Sequence, residues 1–184
     1  MLELNFNPFP ILETERLSLR QVTLNDSQDI LILRSNAEAM RYIGRPLALA
    51  ISEAHDLIYR IEEGIKTNSA IGWGIFLKKK SQLIGTIGYH KIELEHYRAE
   101  IGYMLLPQFW NQGLISEAIK RVLEFGFKTI KLHSIQANID PENERSADIL
   151  LKFNFKKEAC FKESFYFSGK FLDSEIYSLI NNSQ

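Results

Sequence analysis

Ala99-Glu100-Ile101-Gly102-Tyr103-Met104-Leu105-Leu106-Pro107-Gln108-Phe109-Trp110-Asn111-Gln112-Gly113-Leu114-Ile115-Ser116-Glu117-Ala118 is the stretch on which the fold turns. Up to Leu105 it alternates. Ala99, Ile101, Tyr103 and Leu105 share one face, Glu100, Gly102 and Met104 the other, and Pro107 cannot extend a central strand. From Leu114 the period lengthens, with Ile115, Ala118, Ile119, Val122, Leu123 and Gly126 recurring at helical spacing opposite Glu117, Lys120, Arg121 and Glu124. A strand therefore hands over to an amphipathic helix through Trp110-Asn111-Gln112-Gly113. A glycine placed ahead of the free N–H groups of a helix N-terminus suits a phosphate.

On the N-terminal side, Ile71 to Leu77 and Leu83 to Ile92 read as strands joined by a hairpin over Lys78-Lys79-Lys80-Ser81-Gln82. Gly72, Gly74, Gly85 and Gly88 within them suggest bulges, curvature, or a group lying close over the sheet. Two helices precede these strands. Ile30, Leu33 and Ala37 follow a cap at Asn25 or Asp26, and Leu57, Ile58, Ile61 and Ile65 follow Ser52. A first strand covers Arg16 to Val22.

On the C-terminal side, Ser134 to Ile139 alternates again until Asp140-Pro141 stops it. Two strands linked through a helix form a βαβ unit, so the fourth and fifth strands are expected to be parallel with a right-handed crossover. Asn143 to Ser146 opens a short helix carrying Ala147, Leu150, Leu151 and Phe153, with Asn154 at its left-handed end. Phe155 to Leu179 reads as a closing hairpin turned at Ser168-Gly169, and its stripe Phe161, Phe165, Phe167 and Phe171 reads as core. The order is β-αα-βββ-α-β-α-ββ. That is an α/β (α+β) fold with a mixed, mostly antiparallel sheet of about seven strands and helices on both faces, in one domain over residues 1–184.

With 184 residues and 45% hydrophobic content the chain can bury one substantial core. A net charge of -1 predicts no general attraction to nucleic acid or to an anionic membrane, and Lys78-Lys79-Lys80 reads as a solvated tip. No leader pattern opens the chain and no apolar run approaches the ~20 residues of a membrane span, so a soluble cytoplasmic protein is expected. The single cysteine, Cys160, excludes an internal disulfide and a multi-cysteine metal site. Flanked by Ala159 and Phe161 it reads as a packed thiol rather than a nucleophile, and no metal is expected.

The element order and a series of local strings resemble the GNAT superfamily of acyl-CoA-dependent N-acyltransferases, in particular its RimJ/RimL-type branch of ribosomal-protein N-terminal acetyltransferases. The strings are Leu12 to Arg20 (L-E-T-E-R-L-S-L-R), Ile84 to Tyr89 (I-G-T-I-G-Y), Ala99 to Tyr103, Trp110 to Ala118, Asp140 to Ser146 (D-P-E-N-E-R-S) and Gly169 to Asp173. Each is short; their joint order spans nearly the whole chain.

The resemblance implies acetyl-CoA as co-substrate and an amine acceptor, either a protein N-terminus or a small molecule; a homodimer is compatible with it. It implies pyrophosphate recognition by backbone N–H groups of Gln112, Gly113, Leu114, Ile115 and Ser116. The family pattern Gln/Arg-x-x-Gly-x-Gly/Ala has Trp110 in first place and Ile115 in last, so a cation is missing and space is narrowed. The resemblance further implies a gap between the parallel fourth and fifth strands, filled by pantetheine along Met104, Leu105 and Leu106, with amides from Asn138 and Asn143. Ser146 would protonate the leaving thiolate, Glu100 would deprotonate the ammonium through a water, and a fourth-strand N–H would polarise the carbonyl. His90, Glu95 and His96 are further base candidates, and an ion pair with Arg98 is the competing use of Glu100. Direct transfer follows from the setting of Cys160. The altered phosphate motif leaves a second reading open, a CoA-binding regulatory or interaction module without turnover.

Overall fold

A computed structural model of the chain describes residues 1–80 and 82–181. Among these, eight strands form one sheet in the order β1-β2-β3-β4-β5-β6-β8-β7. They are β1 (Leu12–Glu13), β2 (Leu17–Arg20), β3 (Ile71–Leu77), β4 (Gln82–Glu93), β5 (Arg98–Leu105), β6 (Ser134–Ile139), β7 (Lys156–Phe167) and β8 (Lys170–Ile180). Only β5 and β6, the fourth and fifth strands of the sequence reading, run parallel; all other neighbours are antiparallel. The eighth strand is β1, whose two residues are too few to show a period.

The helices are α1 (Ser27–Ser35), α2 (Ala37–Met40), α3 (Ile51–Lys66), α4 (Leu114–Glu124) and α5 (Glu144–Lys152). The expected pair after the first strand is thus three. Asn36 breaks the run with extended backbone, and its Oδ1 accepts from Ala39 N at 2.9 Å to start α2. The start of α3 is held by Glu53 rather than Ser52, its Oε2 accepting from Leu49 N (2.6 Å) and Ala50 N (3.0 Å).

Both faces of the sheet are covered, as the two periods require. Leu114, Ala118, Ile119 and Val122 of α4 bury with Leu17, Leu19, Trp73 and Ile75 on one face. Ile30 and Leu33 of α1 and Ala54 and Ile58 of α3 bury with Val22, Phe76, Leu83 and Met104 on the other. Each fully buried aliphatic side chain contributes about 1.5–3 kcal/mol. The glycines of β3 fill against the chain itself, Gly72 against Ile61 and Gly74 against Phe76 and Val22.

Tyr89 shows how a buried polar group shapes a helix. Its hydroxyl, fully enclosed, donates to Val122 O at 2.9 Å, and Gly126 leaves the room that a Cβ would take from it. With that carbonyl engaged, the chain widens to π geometry over Phe125–Thr129, where Ile130 N bonds Phe125 O at 3.1 Å.

Two expectations are corrected on the β7–β8 hairpin. The aromatic stripe is surface, with Phe161, Phe165 and Phe171 exposed by 54%, 43% and 64%. Cys160 is exposed too, not packed. The reason is tertiary. β7 is an edge strand, and β6 ends at the Ile139↔Glu175 pair, so the hairpin beyond it projects past the sheet, and no second layer of the described residues buries it beyond the contact of Phe165 with Gly44.

Candidate active site

β5 and β6 pair only at Arg98↔Ser134, Ala99↔Ile135 and Glu100↔Gln136. Past Glu100 each stays with its other neighbour, β5 with β4 and β6 with β8, and the two part. Leu106 N donates to Ile84 O on β4 at 2.9 Å. By the two-residue alternation Met104 faces β4 as well, which leaves Tyr103 and Leu105 to present backbone groups to the opening. Leu105 O accepts the Trp110 indole N–H at 2.7 Å, one of its two lone pairs. Tyr103 reaches across the mouth, its hydroxyl donating to Ser146 O at 3.4 Å. Packing around that side chain raises its phenol pKa to about 12, only partly offset by the Ser146 side chain, so it stays protonated.

Gly113 is the N-cap of α4, with a left-handed φ of 74° and no side-chain cap. The first ladder bond is Glu117 N to Gly113 O at 3.0 Å, so the N–H groups of Leu114, Ile115 and Ser116 have no helical acceptor. Two cations flank this turn. Arg16 Nη1 donates to Gln112 O at 2.9 Å, and the Arg145 guanidinium stacks over Trp110 at 4.5 Å from the ring centroid. Trp110 thus stands in the family's cationic position and holds a cation of its own. Gln112 folds back onto Gln108 O at 2.9 Å.

Asn143 caps α5, its Oδ1 accepting from Ser146 N at 3.2 Å, which places Ser146 in the first turn, half buried. Asn138 is exposed on β6, on the face shared by Gln136 and Glu100. Gln136 Nε2 donates to Glu100 Oε2 at 3.4 Å, while Arg98 pairs with Glu93 through its Nε at 2.9 Å and so leaves Glu100 free of it. The β4–β5 register slips between Tyr89 and Lys91, making His90 the extra residue of a bulge. The slip sets the imidazole over Gly102, where a Cβ would come within 2.2 Å of Nε2. Packing there holds the His90 pKa below the usual histidine range against the opposing Glu100 charge; the residue is exposed, so solvent limits the effect. Glu95 and His96 sit in a turn before β5, at the end where β5 and β6 are still paired, and are remote from the opening. Cys160 lies on the outer edge, with β8 between it and β6.

Glu100 thus stands where β5 and β6 part, and Ser146 is joined to the same strand through Tyr103, while Gly113, Leu105, Asn138 and Asn143 lie on the elements that flank the opening. Arg16, Arg145 and Tyr103 join them, and no local period marks those three, because each acts through a contact made between separate elements.

Strands that pair and then part beside an uncapped helix N-terminus provide what the resemblance asks of an acyl-CoA-dependent acyltransferase. Residues 16–156 match the acetyltransferase (GNAT) domain, and the chain belongs to that family. It is 39% identical over 172 residues to the uncharacterized N-acetyltransferase YoaA of Bacillus subtilis (strain 168), covering 94% of this chain and 97% of the other. The [Ribosomal protein uS5]-alanine N-acetyltransferase of Escherichia coli (strain K12) is 28% identical over 120 residues, 65% of this chain and 62% of that one. RimL, the ribosomal L7/L12 alpha-N-protein acetyltransferase, in complex with coenzyme A shares the fold, with a TM-score of 0.86 at 20% identity over 95% of this chain and 100% of that chain. The protein is an N-acetyltransferase with acetyl-CoA as co-substrate. Among the described residues no helix is long and apolar enough to cross a membrane.

Proposed function

We propose that the protein transfers acetyl directly from acetyl-CoA to the α-amine of a peptide or protein N-terminus, with no acyl-enzyme. When bound, acetyl-CoA supplies an activated acyl carbon and a thiolate leaving group. Backbone N–H groups of Leu114, Ile115 and Ser116 hold its pyrophosphate, Gln112 and Gly113 shape the turn, and Arg16 and Arg145 add positive charge. The Tyr103 and Leu105 backbones line the pantetheine arm and offer the N–H that polarises the carbonyl; Met104 and Leu106 back them from the β4 side. Asn138 and Asn143 contribute side-chain amides.

On the opposite face Glu100, with neutral His90 beside it, takes a proton from the acceptor ammonium through water and leaves the neutral amine to attack. As the C–N bond forms and the C–S bond breaks, the nitrogen gives its second proton to water, and the Ser146 hydroxyl gives its proton to sulfur and is reprotonated from solvent. The observation that carries the reading is the parting of β5 from β6 beyond Glu100↔Gln136; the bond from Tyr103 of β5 to Ser146 O supports a role for Ser146 beside the same strand. The names of the ribosomal-protein acetyltransferase relatives support a peptide acceptor.

Thiol release from acetyl-CoA tests this, with short peptides and free small amines as alternative acceptors. Release with peptides is expected. Thermal stabilisation by CoA without release from any acceptor would identify a binding module instead.

A further inference from the structure

Arg34, Arg45 and Arg60, which form no ion pair among the described residues, stand where α1, α3 and residues 41–50 meet. Arg34 lies in the last turn of α1, and Arg60 is exposed on α3, which packs along α1. Arg45 follows Gly44 in the loop, and the loop is tied to α1 by Ala48 N donating to Arg34 O at 3.1 Å. Arg34 is half buried, and its burial together with the charges of Arg60 and Arg45 lowers its guanidinium pKa. The ion pairs among the described residues engage Arg16, Arg20, Arg98 and four lysines, none of these three. Glu53, the acid that opens α3, is committed to the backbone of Leu49 and Ala50. Crowded like charges cost stability unless something external compensates them.

The cluster borders the cleft. The β7–β8 hairpin projects past Ile139, the C-terminal end of β6, which is the end where β5 and β6 part. Its Phe165 ring lies on Gly44, where a Cβ would come within 2.5 Å of Cε1. Hairpin and loop thus meet beyond the end where β5 and β6 part, with Arg45 next to the Gly44 contact and Ile43, Leu47 and Ile51 exposed in the same stretch of chain.

We infer that the acceptor is an acidic peptide, whose α-amine enters the cleft while a carboxylate side chain further along docks on Arg34, Arg45 and Arg60. The inference rests on the proposed N-terminal acetylation. The arginines stand on α1, α3 and their loop rather than on the strands bearing Glu100 and His90, so the anion they take is separated from the reacting amine. The same three charges repel a polyamine.

Two heptapeptides with identical first residues, one carrying glutamates and the other glutamines at the later positions, test the inference by fluorescence anisotropy and by thiol release. The acidic peptide is expected to show Kd and KM lower by ~10-fold or more, with the advantage shrinking as salt is raised. In the Arg45→Gln/Arg60→Gln double variant the advantage should fall to parity; CoA binding verifies that this variant is folded, and the salt titration probes the parent protein without substitution. Equal Kd for both peptides, or an advantage surviving in the double variant, overturns the inference. Equal thiol release from both peptides overturns it as well and leaves N-terminal acetylation standing. No release from either peptide overturns the acetylation reading itself.

Discussion

Arg16 Nε lies 2.7 Å from Glu117 Oε2 while Arg16 Nη1 donates to Gln112 O at 2.9 Å, so one guanidinium binds the start of β2 to the first turn of α4 and to the turn before it. Glu117 Oε1 accepts from Arg16 N at 2.9 Å and from the Thr14 hydroxyl. Burial pushes the Glu117 pKa up, but these bonds outweigh it and hold the carboxyl below its ordinary range. Its charge also suits a helix N-terminus. Glu117→Ala should cost about 1–3 kcal/mol of stability. It should also weaken CoA binding, since the Gln112-Gly113 turn loses its brace; CoA titration at a temperature where the variant is folded measures the second effect, and unchanged affinity would separate the brace from the phosphate site.

Gly113 adopts φ 74°, a conformation that disfavours a β-branched side chain, although Arg16 Nη2 at 3.5 Å from a Cβ would be an ordinary contact. Gly113→Val is expected to weaken CoA binding at least tenfold, about 1.4 kcal/mol, through strain in the turn rather than collision. Equal affinity by calorimetry would remove this turn from pyrophosphate recognition.

Ser146→Ala should lower turnover by ~10²-fold or more with CoA affinity nearly unchanged. The cap contact uses the Ser146 backbone N–H, which alanine keeps, so α5 should stay in place. Steady-state kinetics decides: full turnover would exclude the hydroxyl as proton donor.

His90 should be neutral at pH 7, because its pKa is held below the ordinary value. With His90 assisting Glu100, kcat/KM is expected to stay level down to that lowered pKa and to fall as pH drops through it. Gly102→Ala, whose methyl would come within 2.2 Å of Nε2 and displace the imidazole, should cut turnover by ~10-fold or more. An acid limb that is identical in His90→Gln would leave Glu100 to act alone.

Asp26 is buried beneath Arg20, with Nη2 to Oδ1 at 2.8 Å, and also accepts from Thr23 N at 2.8 Å. Burial raises its pKa, but Arg20 and Thr23 outweigh that and the net shift is downward. A lowered folded pKa means stability that is complete above the ordinary aspartate pKa and lost as pH falls through the folded value. Asp26→Asn should cost about 1.5–3 kcal/mol near neutral pH, and the loss should shrink in acid. Denaturant melts of both proteins across that range provide the check; a pH-independent difference would mean that the charge contributes nothing.

Much of the fold was legible locally. The alternation of Ala99 to Leu105, the helical spacing from Leu114 and the left-handed Ser168-Gly169 turn all appear where their patterns put them, because period and turn chemistry are properties of short backbone segments. The phenylalanines of β7 were misread for the complementary reason. An alternating apolar strand carries no mark of whether a second layer lies above it, and here β7 is an edge beyond the end of β6.

The sequence by itself determined the order of the elements apart from the short β1 and α2, the strand-to-helix handover at Gly113, and the placement of Glu100 and Ser146 on elements flanking one crossover. Tertiary structure alone decided what surrounds them. The bulge that turns His90 over Gly102, the clamp of Arg16 on Glu117, the stacking of Arg145 on Trp110 and the reach of Tyr103 to Ser146 each depend on register or contact between separate elements. Such contacts are set when the sheet and helices pack, and no local period along the chain records them.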